Sequence, residues 1–129
     1  MMFELSKQFR FEAAHTLHRV IDAEPSRRIH GHSYRAEVVI RGRPDPVTGM
    51  VLDLGLFERA LAGARDGLDH RLLDEVPDLG PATMENLAAW IWRRLAGQLP
   101  GLARVTVHRD STGDICTCFG PDADSGVAA

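Results

Sequence analysis

The sequence predicts an α+β domain: a four-stranded antiparallel sheet with two helices on one face, in the order ββααββ. Three observations carry this. Residues 2–15 and 30–42 alternate apolar and polar side chains with the period of strands. Two later stretches, one from Asp53 to Gly67 and one from Thr83 to Gly97, repeat apolar residues at helical spacing. Residues 102–109 and 115–120 alternate again, around the turn-rich run Asp110-Ser111-Thr112-Gly113-Asp114. Helices grouped between two strand pairs pack on one face of an antiparallel sheet, not between parallel strands.

Each element has a local reason. In the first strand Phe3, Leu5, Phe9, Phe11 and Ala13 share the odd phase. In the second, Tyr34, Ala36, Val38 and Ile40 share the even phase, and Val39 breaks the polar one. Residues 16–29 hold Pro25, several charges and no period; they read as a long loop, which compact domains tend to keep for function. Pro44, Asp45, Pro46 and Gly49 make a turn, and Met50-Val51-Leu52 a short extended piece. Asp53 is an N-cap for a helix over 54–66 whose buried stripe is Phe57, Ala60, Leu61 and Ala64. Residues 68–82 connect it to a second helix, capped by Thr83, with Glu85 in the first turn and Leu87, Ala88, Ile91 and Leu95 inward. Residues 1–121 form one domain, and 122–129 read as a frayed tail. No further element covers the sheet edges, so pairing between subunits is expected.

The bulk numbers narrow the function. At 129 residues, 44% hydrophobic and 26% charged with net charge −3, the chain reads as one mildly acidic soluble domain. No basic run favours nucleic acid or a membrane surface, and no apolar run is long enough to span a bilayer. With no signal peptide, a cytoplasmic location is expected. Cys116 and Cys118 flank Thr117 in a strand and read as small core residues.

His30-Gly31-His32 opens the second strand, and two histidines two residues apart point to one side of it. That side is the core-facing one. His15 ends the first strand in the core-facing phase as well. Antiparallel pairing brings the end of the first strand to the start of the second, and the three imidazoles together. Three histidines with one open position is the pattern of a catalytic zinc site. The competing reading is three histidines satisfied by hydrogen bonds near a turn.

Phe11-Glu12-Ala13-Ala14-His15 and His30-Gly31-His32-Ser33-Tyr34 resemble the first two strand motifs of the 6-pyruvoyltetrahydropterin synthase and 6-carboxytetrahydropterin synthase family. Asp45-Pro46 through Asp53, Leu68-Asp69-His70, and Pro81 through Thr83 and Glu85 match in order, so the resemblance covers nearly the whole chain. It implies the tunnelling fold: these six elements, trimerised into a twelve-stranded barrel, often as two stacked trimers with sites between subunits. It implies zinc on His15, His30 and His32. It also implies lyase action on 7,8-dihydroneopterin triphosphate, giving a pyruvoyl pterin or the carboxy pterin used for queuosine. Asp69 and His70 resemble the family's proton-transfer pair, and Thr83 and Glu85 fall in its substrate-binding segment.

Two positions depart from the family pattern. Ser26 stands where bacterial members carry a catalytic cysteine, four residues before His30. A hydroxyl is far less acidic than a thiol and needs an adjacent base. Glu24 is the alternative, since some members use a glutamate in this loop, and Ser26 without a role is a third reading. The other departure is Arg109, in the place of the glutamate that anchors the amino-pyrimidinone edge of the pterin. A guanidinium has donors only, where that edge needs an acceptor. Asp110 takes the role if the hairpin is shifted by one residue. The expected function is therefore a zinc-dependent lyase on a pterin or related ring. The alternatives are another substrate on the same scaffold and a silent paralogue that keeps zinc and a ligand pocket.

Overall fold

A computed structural model describes residues 1–122. Its elements are β1 (Phe3–His15), α1 (Ala23–Arg27), β2 (His30–Gly42), α2 (Leu54–Asp66), β3 (Arg71–Leu72), α3 (Met84–Ala96), β4 (Leu102–Arg109) and β5 (Asp114–Cys118). The tail expected over 122–129 lies, from residue 123, outside the described residues.

The sheet order is β3-β1-β2-β4-β5. β1, β2, β4 and β5 pair antiparallel as expected. The sheet is nonetheless five-stranded and mixed, because β3 pairs parallel with β1 through Ala13↔Arg71 and Ala14↔Leu72. This two-residue strand is too short to carry a pattern of its own, and it covers one end of an edge expected to be bare. The loop after β1 also differs: five of its residues wind into α1, opened by Asp22 in the left-handed region. A turn of 3-10 helix, Leu73–Glu75, follows β3. Met50-Val51-Leu52 forms no strand; its Met50 carbonyl closes the turn by accepting from the Asp45 N–H at 2.9 Å.

α2 packs on β1, and α3 on β4 and β5. Both predicted caps form. Asp53 Oδ1 accepts from the Gly55 N–H at 2.7 Å, and Thr83 Oγ1 from the Asn86 N–H at 3.1 Å. The core joins Phe9, Phe11, Tyr34, Ala36, Val38 and Ile40 of the sheet to the predicted helix stripes. Phe11 and Tyr34 stack across β1 and β2 with centroids 4.9 Å apart. Val39, out of phase in the sequence, is buried where the β2–β4 register shifts between Val39 and Ile40. The extra residue is Ala103 of β4, which falls between the partners of Val39 and Ile40, and such a bulge bends its strand locally. Gly101, just before β4, has φ +78°, and a Cβ there would fall on the Arg41 carbonyl. Cys116 and Cys118 are half-buried rather than core, because β5 is the far edge strand and only α3 covers its inner side. Among the described residues no helix is long and apolar enough to cross a membrane.

Candidate functional site

The β1–β2 register sets His15 opposite His30 and Ala13 opposite His32, so the three imidazoles meet at one end of the strand pair. Their rings stand edge to face in all three combinations, with centroids 4.5–4.9 Å apart. His15 Nε2 lies 2.9 Å from His30 Nε2 and 3.0 Å from His32 Nε2.

The outer nitrogens explain what those contacts are. His15 Nδ1 is 2.9 Å from the Ala82 carbonyl, and His30 Nδ1 is 2.8 Å from the Arg28 carbonyl. A carbonyl only accepts, so each Nδ1 carries the hydrogen. In neutral rings the inward Nε2 atoms are then bare lone pairs facing each other. A cation among them relieves the repulsion, and a carbonyl behind the ring is the usual support for a metal-bound histidine. Burial lowers the His15 pKa, opposed by its bond to Ala82, with His30 and Arg109 lowering it further. His32 is pushed down to about 4, by burial first and then by Arg109, His15 and His30. Both are therefore neutral at pH 7, as metal ligation requires. The three residues form the one His/Cys/Asp/Glu cluster with metal-ligating spacing among the described residues. This donor set suits zinc.

Asp69 and His70 sit at the outer edge of β1. The Glu12 N–H donates to Asp69 Oδ1 at 2.9 Å, and the His70 N–H donates to the Glu12 carbonyl at 2.6 Å. Asp69 Oδ2 holds His70 Nδ1 at 2.9 Å and Arg65 Nη2 at 3.0 Å. The Glu12 N–H, followed by His70 and Arg65, holds the Asp69 carboxyl below its usual range. His70 has φ 57° and a side chain 79% exposed. Asp69 is thus ionised, and it orients His70, whose Nε2 is left open. A cavity of about 460 Å³ beside it is lined by Glu12, Gly31, His32, Ser33, His70 and Arg71 among others.

Ser26 and Glu24 part company on α1. Ser26 is buried, while Glu24 points outward to Arg28 at 2.9 Å. Arg28 in turn offers its carbonyl to His30, so α1 leads directly into the histidine cluster. Thr83 is spent on capping α3, one residue after the carbonyl that supports His15. Glu85 is exposed in that helix's first turn, and its charge helps raise the pKa of Cys116 after the larger effect of burial.

Arg109 and Asp110 turn to opposite faces. Arg109 continues the inward phase of Val105 and Val107, pairs across the hairpin with Asp114, and sets Nη2 on Asp114 Oδ2 at 2.7 Å. Its Nη1 is 3.4 Å from His32 Nε2, and its buried Nε has no hydrogen-bond partner among the described residues. Asp110 faces outward and binds Arg35 through both oxygens, at 3.0 and 3.1 Å. The four-residue hairpin loop therefore leaves Arg109 at the inner position. Glu12 accepts from Ser33 Oγ, at 2.6 Å.

A family model described as 6-pyruvoyl tetrahydropterin synthase matches residues 4–121. The chain belongs to the 6-pyruvoyl tetrahydropterin synthase family. It is 38% identical over 104 residues to the 6-pyruvoyl tetrahydrobiopterin synthase of Poecilia reticulata, covering 70% of this chain and 71% of that one. It is 37% identical over 118 residues to the 6-carboxy-5,6,7,8-tetrahydropterin synthase of Synechocystis, covering 86% and 89%. The solved 6-pyruvoyl tetrahydropterin synthase of Caenorhabditis elegans superposes with TM-score 0.82 at 29% identity, over 94% of this chain and 97% of that one.

Within this family member, two supporting residues, Asp74 and Asp114, are not among the expected site residues. Asp74 accepts from the Thr16 N–H at 2.9 Å and from Thr16 Oγ1, fixing the residue next to His15. Asp114 fixes Arg109. The hairpin pattern offers one clue to Asp114, since it is the first residue after the loop and faces the last residue before it.

Proposed function

We propose that this protein is a zinc-dependent lyase acting on dihydroneopterin triphosphate or a related pterin. The observation that carries the reading is the convergence of three Nε2 atoms, two of them, on His15 and His30, in rings whose Nδ1 is fixed by a backbone carbonyl. His15, His30 and His32 hold the metal, which when bound supplies Lewis-acid polarisation of side-chain oxygens. Asp69 keeps the hydrogen on His70 Nδ1, leaving Nε2 to take a proton from substrate and return it. His70 projects outward from the sheet edge, which suits it to a site completed by a neighbouring subunit in a trimer or doubled trimer. Ser26, buried in α1, stands in for the family cysteine, with Glu24 as the other base once released from Arg28. The likeness to the Synechocystis and Poecilia proteins supports both the carboxy and the pyruvoyl outcome. The place of action is the cytoplasm.

Incubating zinc-loaded protein with dihydroneopterin triphosphate and identifying the pterin by mass tests this reading. A 6-carboxy or 6-pyruvoyl product is expected, and unchanged substrate would refute it. A second reading, the same scaffold with an acidic substrate, is favoured by one observation: Arg109 at the triad.

A further inference from the structure

The side chain of Arg109 crosses from β4 to the histidine triad, Nη1 ending 3.4 Å from His32 Nε2. Without metal, that Nε2 lone pair is its acceptor. When His32 gives the lone pair to a metal, Nη1 loses the acceptor. Nε already has none. Nη1 and Nε of this guanidinium are then left without a carboxylate acceptor, the Tyr34 hydroxyl being within reach of the side chain, while Asp114, itself bound by Thr112, keeps Nη2 in place. Tyr34, one row deeper than His32 on the same face of β2, is buried beneath Arg109 and offers a hydroxyl, not a charge. Among the described residues Asp114 is the one carboxylate paired with Arg109, and Arg19 adds a second guanidinium within electrostatic reach of Asp114. Metal and arginine together leave the site short of negative charge.

We infer that Arg109 makes this site select a ligand carrying a carboxylate, or an equivalent anionic oxygen, beside the histidine triad. A carboxylate offers two acceptors to the two unmatched donors, the pairing for which a guanidinium fork is shaped. A glutamate at this position would instead hold an N–H edge. This inference rests on the reading of the triad as the ligand site, and deepens it by naming the chemistry next to the metal.

Calorimetry on the zinc-loaded protein tests it with three probes: pterin-6-carboxylate, 6-methylpterin and inorganic phosphate. The two pterins share a ring and differ in the anion. The wild type is expected to bind pterin-6-carboxylate at least about tenfold more tightly than 6-methylpterin, the worth of a charge-assisted pair. In Arg109→Gln that preference should vanish with zinc content unchanged. Arg109→Lys, which keeps the charge and loses the fork, should keep only part of it, and serves if the Gln variant does not fold. Equal affinity for both pterins, a preference that survives Arg109→Gln, or no binding of any probe would overturn the inference. Arg109-dependent phosphate binding without either pterin would uphold anion selection and overturn the pterin reading instead.

Discussion

Replacing Asp69 by Asn should cost turnover and almost nothing else. One Asp69 oxygen accepts from the Glu12 N–H at 2.9 Å, and the other serves both His70 Nδ1 at 2.9 Å and Arg65 at 3.0 Å. An asparagine has one acceptor. If that oxygen stays on Glu12, the amide NH2 faces His70 Nδ1, and the hydrogen of the imidazole must move to Nε2. Nε2 is the atom proposed to take the substrate proton, so the base is lost while its position is kept. The expected fall in kcat is about 10²–10⁴-fold, the range for an oriented acid–base group. The ion pair with Arg65, whose side chain is 46% exposed, contributes about 0.5 kcal/mol or less, so the melting temperature should barely move. Asp69 touches none of the three histidines, and zinc content should not change. Steady-state kinetics with dihydroneopterin triphosphate, alongside metal analysis and a melting curve, would check all three. A kcat within threefold of wild type at full zinc content would refute the proposed role of the dyad.

Two further outcomes are expected. Ser26→Cys should raise turnover, because a buried thiol titrates much nearer neutrality than a hydroxyl; activity assays that show no gain, while Glu24→Gln abolishes turnover, would move the role to Glu24. Chelated protein should lose stability as pH falls from about 6.5 to about 4: the His32 pKa is depressed in the fold, so the unfolded chain binds more protons in that window. Melting curves at pH 7.5 and 5 would show this, and zinc should raise the first far more than the second.

The strand phases make the centre of the fold legible in the sequence. His15 and the His30–His32 pair lie in core-facing phases at strand ends that antiparallel pairing brings together, and the register does so. The helix stripes and both caps followed from local chemistry in the same way. What the sequence hid is of three kinds. β3 and α1 have two and five residues, fewer than any period needs to show itself, and β3 exists only because β1 offers an edge. The carbonyls of Ala82 and Arg28 support the triad, but a backbone group leaves no mark on residue identity. The face taken by Arg109 depended on a hairpin register that Asp110-Ser111-Thr112-Gly113 left open by one residue; the outward Arg35–Asp110 pair accompanies the register formed.

The most direct test of the central claim is bound zinc per chain, measured with turnover of dihydroneopterin triphosphate on the same samples of wild type and His32→Ala. The account predicts about one zinc per chain and a lyase product for wild type, with both lost in His32→Ala because two imidazoles leave a catalytic zinc one ligand short. A wild type that turns over substrate without stoichiometric metal, or a His32→Ala variant that keeps both, would contradict it.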